Sequence, residues 1–233
     1  MSEHNAIPTI DSRSDFEVVL RTLAQTDSGP YLRPFTPDAQ WRTARVFIVG
    51  TNPATPLRDE FDSFDTYWHA LTRDPAAFQK VYMARRSGKP SVTTNRINRF
   101  TAPLADVGVL RTNACALPSR RWGELPSALR REQLEIGRRV LRALVEICRP
   151  AAILCHGKEG VRAVSALFGI PLDPYVQLDR QNVRATLVPD GVPVQLFAYP
   201  HLSGIGVEKG FAVGRMGDEL EALGQRLAAA LRA

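Results

Sequence analysis

The sequence predicts an α/β fold, a three-layer α/β/α sandwich around a short, mainly parallel four-stranded sheet. Three observations predict it. Four short apolar runs, each closing on turn-forming residues, alternate with stretches of helical period. The runs carry little apolar/polar alternation, the pattern of strands buried on both faces. At 233 residues, 44% hydrophobic and 23% charged, the chain suits one domain with a full core.

Residues 1–12 read as a loose terminus ahead of a single domain spanning 1–233. Ser14-Asp-Phe-Glu17 fits a capping box and opens a helix with Phe16, Val19, Leu20 and Leu23 on one face. Gly29-Pro30 and Pro34 break the stretch after that helix. Arg45-Val-Phe-Ile-Val49, bounded by Gly50, is the first buried strand. The aromatic stretch Phe61, Phe64, Tyr67 and Trp68 begins as a loop and continues as a helix. Arg85, Arg86, Lys89, Arg96 and Arg99 crowd a segment rich in Ser, Thr, Asn and Gly, which reads as a basic loop. Phosphate contact and a plain solvated surface are its two readings. Val107–Thr112, closing on Asn113, is the second strand. Apolar positions Leu134, Leu141, Leu144, Val145 and Cys148 predict a helix from Ser127 to Cys148, stopped by Pro150. Ala151–Cys155 is the third strand, and His156-Gly157-Lys158 leads into another helix. Val192–Ala198 is the fourth, and Met216, Leu220, Leu223, Leu227 and Leu231 stripe a last helix.

Composition excludes several classes. No apolar run approaches the ~20 residues that span a membrane, and the polar start lacks a secretory pattern, so a cytoplasmic location is expected. Cys115, Cys148 and Cys155 are too few for a four-thiolate cluster and show no Cys-x-x-Cys. His4, His69, His156 and His201 have no metal-ligand spacing, so no metal is expected. The net charge of +6 favours an anionic partner.

The polar residues fall in a pattern. Asn52, Asn113, His156 and His201 each sit just past the carboxyl end of a predicted strand, where ligands bind in open α/β sheets. Gly50-Thr51-Asn52-Pro53-Ala54 is similar to the Gly-x-Asn-Pro-Gly motif of the uracil-DNA glycosylase superfamily, in its mismatch-specific and single-strand-selective branches. Pro200-His201-Leu202-Ser203-Gly204-Ile205-Gly206 resembles the second motif of that superfamily, with the His of its His-Pro-Ser branches. Thr112-Asn113 resembles its base-reading Thr-Asn, and Phe64 falls where the family places its base-stacking aromatic. The resemblance runs in order from about residue 44 to the end. Leu202 stands where the family has Pro, and Ala54 where it has Gly.

The resemblance implies a monofunctional, cofactor-free glycosylase acting on DNA with a damaged base, as a monomer. Asn52 would position water and His201 would donate to the leaving base, aided by Gly50 and Thr51 backbone N–H groups. Asn113 would read the base, accepting from uracil N3–H and donating to O4, and Phe64 would stack on it. Ile205 would fill the vacated stack. Ser203, Gly204 and Lys209, the last near the start of the final helix, with Arg96 and Arg99, would hold phosphates. His156-Gly157 reads first as a turn, with a phosphate contact through Lys158 as the alternative. Cys155 and His156, adjacent on a strand, point to opposite faces and form no nucleophile pair. Two other functions stay open: a damage-binding protein without turnover, and a hydrolase of small N-glycosides.

Overall fold

The computed structural model describes residues 13–85, 91–187 and 191–233, so the expected loose terminus and residues Arg86 and Lys89 lie outside the described residues. Five consecutive buried residues make β1 (Val46–Gly50) a central strand. It pairs in parallel with β2 (Val109–Asn113) on one side and β3 (Ala152–His156) on the other. The next strand by position, β4 (Val183–Ala185), is antiparallel to β5 (Val194–Tyr199), which in turn runs parallel to β3. The order is β2-β1-β3-β5-β4. The sheet therefore has five strands rather than four. The added one is three residues long on the sheet edge, too short to set up a legible alternation.

The pleat sorts side chains between two cores. Phe47, Val49, Leu110, Ile153, Cys155, Leu196 and Ala198 enter one. Val46, Ile48, Ala152, Leu154, Phe197 and Tyr199 enter the other. The first is covered by α1 (Arg13–Ala24), α2 (Phe64–Thr72), α3 (Pro75–Arg85), α5 (Ser127–Cys148) and α6 (Gly157–Phe168). The second is covered by α4 (Val92–Thr101) and α7 (Met216–Arg232). Helix α5 has the expected bounds. Its stop is Arg149 in the left-handed region (φ 51°), ahead of Pro150. Arg13 is already helical, so Ser14 lies inside α1 rather than capping it.

The basic segment is not a loop throughout. Ser91 caps α4, its Oγ accepting from the Thr94 N–H at 3.1 Å. Ile97 and Phe100 then turn inward against α7. Those two apolar residues, three apart, outweigh the polar composition around them once a partner helix is present.

Register sets the rim of the sheet. Gly50 lies opposite Asn113, Val49 opposite Cys155, and His156 opposite Tyr199. By parity Gly50, Asn113 and His156 face the α4/α7 side. The chain order reverses between β1 and β3, the switch point where such sheets open a crevice.

Candidate active site

Gly50 brings the site together by having no side chain. A Cβ there would lie 2.9 Å from Asn113 Oδ1 and 3.1 Å from His156 Nε2. Its carbonyl accepts the Ala114 N–H at 2.8 Å and the Thr51 carbonyl accepts the Cys115 N–H at 2.9 Å, which stitches the end of β1 to the chain leaving β2. Thr112 Oγ1, buried, donates to the Pro34 carbonyl at 2.6 Å and fixes the strand end that carries Asn113. Asn52 donates from Nδ2 to the Pro53 and Ser119 carbonyls, both at 2.9 Å. With both amide hydrogens committed, Oδ1 remains the acceptor that Asn52 can offer a water.

The second motif forms a self-braced loop. His201 Nδ1 accepts from the Ser203 N–H at 3.2 Å and lies 2.7 Å from Ser203 Oγ. Ser203 Oγ accepts from the Ile205 N–H at 3.2 Å, and the Gly204 N–H donates to the His201 carbonyl at 2.8 Å. A backbone N–H can only donate, so Nδ1 holds a lone pair and the proton sits on Nε2. His201 is thus a neutral imidazole with a directed N–H donor, and burial lowers its pKa further from the protonated form. Gly157 takes φ +70°, and a Cβ there would lie 2.9 Å from His201 Cδ2, so this glycine both turns β3 into α6 and gives the ring room. The His156 and His201 rings meet edge to face, with centroids 5.7 Å apart and planes at 72°.

Leu202 is fully buried in the α4/α7 core. Arg96 completes the anchorage, donating to the Leu202 carbonyl at 2.7 Å and the Val213 carbonyl at 2.9 Å. Arg96→Met is expected to lower stability by about 2 kcal/mol, since charged donors to two carbonyls are lost. Thermal unfolding reads this directly, and an unchanged Tm would refute the anchoring role.

Several expected roles are corrected by the packing. Phe64 is 6% exposed, its ring held by Tyr31, Trp68 and the Arg21 guanidinium, so it has no free face for a base. An ion pair from Arg21 to Asp65 pins α2 to α1 and explains the placement. Arg96 is committed to the loop carbonyls. Arg99 is half exposed and pairs at the surface with Asp218 and Glu221 of α7. The Ser203 hydroxyl and the Gly204 N–H are used within the loop. Lys209 is exposed in a turn seven residues ahead of the first residue of α7. Ile205 stands 78% exposed at the loop tip. Lys158 is exposed in the first turn of α6. Cys155 donates to the Phe197 carbonyl at 3.3 Å inside the opposite core, and burial pushes its thiol up to about 12.

Two features go beyond what the sequence assigns, the burial of a residue it places on the rim and a groove it does not show. His156, read first as a turn residue, is 5% exposed with Nε2 beside Gly50 and Nδ1 buried without a partner. Its position at a strand end beside His201's strand was the available signal. A groove of about 250 Å³ between the first halves of α5 and α6 is lined by Trp122, Arg130, Arg131, Arg138 and Arg162, with Glu135 and Glu159, which pair with Arg138 and Arg162 and leave Arg130 and Arg131 as its excess positive charge. Its arginines are spread over 32 residues of sequence and meet only through helix packing.

Burial, and secondarily the neighbouring His201, lowers His156 to about 3. An unfolded histidine titrates near 6.5, so above that pH neither state is protonated and stability is complete. Below it the unfolded chain takes up protons first, and stability falls by about 1.4 kcal/mol per pH unit for each such histidine. Chemical denaturation between pH 7 and 5 should show this loss, with a shallower slope in His156→Asn. Equal slopes would contradict the neutral buried state.

Among the described residues no helix is long and apolar enough to cross a membrane, and no group of three or more His, Cys, Asp or Glu could hold a metal ion. No known family model matches the chain, and no curated protein matches it either.

Proposed function

We propose that this chain is a monofunctional DNA glycosylase that hydrolyses the N-glycosidic bond of uracil or another deaminated base in DNA. One observation carries the reading. A neutral histidine with its N–H directed by its own loop shares a rim with two amides, Asn113 beside Gly50 and Asn52, whose Nδ2 is committed to backbone carbonyls.

Cleavage passes through an oxocarbenium-like sugar while negative charge grows on the departing base. His201 Nε2–H would meet that charge on the base carbonyl. Asn52 Oδ1 would hold the attacking water. An amide takes no proton as a carboxylate does, so turnover should be modest. Asn113 would pair with the N–H/C=O edge that uracil presents and cytosine does not. The exposed Ile205 suits a wedge for the vacated stack, and Lys209 with the α5/α6 groove suits the phosphate backbone. The protein would act as a monomer in base-excision repair, without a cofactor.

A second reading, a hydrolase of small N-glycosides, is favoured by the commitment of Arg96 to two loop carbonyls, which takes away one phosphate contact. The test is incubation of the purified protein with oligonucleotides carrying uracil, hypoxanthine or xanthine, single- and double-stranded, alongside free nucleosides. Abasic sites in the oligonucleotides support the glycosylase. Hydrolysis of nucleosides alone supports the second reading, and binding without release would leave a damage-binding protein.

A further inference from the structure

We infer that His156 reads the base, its Nε2–H forming with that of His201 a paired donor that selects bases bearing a carbonyl at C2. The inference rests on the glycosylase reading above and names its substrate class.

The tautomer of His156 is set by its surroundings. Nδ1 is buried with no hydrogen-bond partner, and a proton there would be an orphaned buried donor. The proton therefore belongs on Nε2. That atom lies 3.1 Å from the point where a Gly50 Cβ would sit, and Asn113 Oδ1 lies 2.9 Å from the same point. No hydrogen bond joins the two side chains, so each keeps its capacity for a third party. The strand order carries Asn113, Gly50, His156 and His201 across the rim in sequence, on β2, β1, β3 and just past β5. The space over Gly50 is thus framed by the Asn113 amide on one side and the His156 imidazole on the other, with the His201 ring packed edge to face against His156.

A planar base lying over Gly50, with its N–H/C=O edge on Asn113, turns its remaining carbonyl towards the histidines. A carbonyl oxygen has two lone pairs and accepts both N–H groups. Edge-to-face packing and the Ser203 brace fix the rings, so the donors need no reorganisation as charge develops. Uracil and xanthine carry both the edge and the C2 carbonyl. Hypoxanthine carries the edge alone and would leave two buried donors unpaired, the arrangement by which a polar site rejects a base.

The experiment measures single-turnover release of uracil, xanthine and hypoxanthine from matched duplexes by wild type, His156→Phe and His156→Gln, with thermal unfolding of each. Wild type should release uracil and xanthine at least tenfold faster than hypoxanthine. His156→Phe, which keeps a ring and loses the donor, should slow uracil and xanthine tenfold or more and change hypoxanthine less than twofold. His156→Gln, whose Nε2 restores a donor, should recover much of the loss. Equal slowing of all three bases, or no slowing, overturns the inference and leaves the glycosylase standing. Wild-type release of hypoxanthine alone does the same. No release of any base by wild type overturns both.

Discussion

Replacing His201 by alanine is expected to lower uracil release by about 10²–10³-fold, the usual cost of removing one preorganised donor to a developing anion. The loss should fall on the chemical step, because the bond strengthens as charge moves onto the base. Affinity for uracil-containing DNA should change only a few-fold, since Ile205, Lys209 and the α5/α6 groove are untouched. The ring is half-buried against Gly157, so thermal unfolding must accompany the kinetics. A variant that turns over at the wild-type rate but binds DNA weakly would show that His201 holds substrate rather than stabilising the leaving group. Ser203→Ala makes a finer comparison. It removes the hydroxyl beside Nδ1 and leaves the backbone N–H in place, so a milder loss is expected.

Gly50→Ala is the second large effect. The added methyl would lie 2.9 Å from Asn113 Oδ1 and 3.1 Å from His156 Nε2, so both side chains must swing aside. A displacement near 1 Å at a reacting centre costs about 10²-fold in rate. The stability cost is expected to be about 1–3 kcal/mol, as for other overpacked positions. Gly123→Ala is the matched control, because nothing lies within 4 Å of its added methyl. Full activity in Gly50→Ala would mean that Asn113 and His156 do not read the base from where they stand.

Much of the architecture was legible because buried strands and amphipathic helices leave periodic marks. The apolar runs ending at Gly50, Asn113 and His156 announced a parallel sheet, and the Ser127–Cys148 periodicity gave α5 its bounds. The strand-end positions of Asn52, Asn113 and His201 were likewise readable, since turn residues after an apolar run locate a sheet's carboxyl rim. The edge strand Val183–Ala185 was not, being too short to carry a period.

What the linear order left undecided is the partner of each polar side chain, and there the tertiary structure rules. Phe64 stands at a suggestive distance from Asn52 along the chain, but Tyr31 and Arg21 come from a different segment to enclose it. Arg96 looks like a phosphate ligand until the second-motif loop arrives to claim it. His156 looks like a turn until Gly50, three-dimensionally adjacent and without a Cβ, leaves it a face on the site. Backbone periodicity is a local property and survives in sequence. Side-chain pairing across 44 to 122 residues is set only when the layers close, and it decides which charges and rings remain free to act.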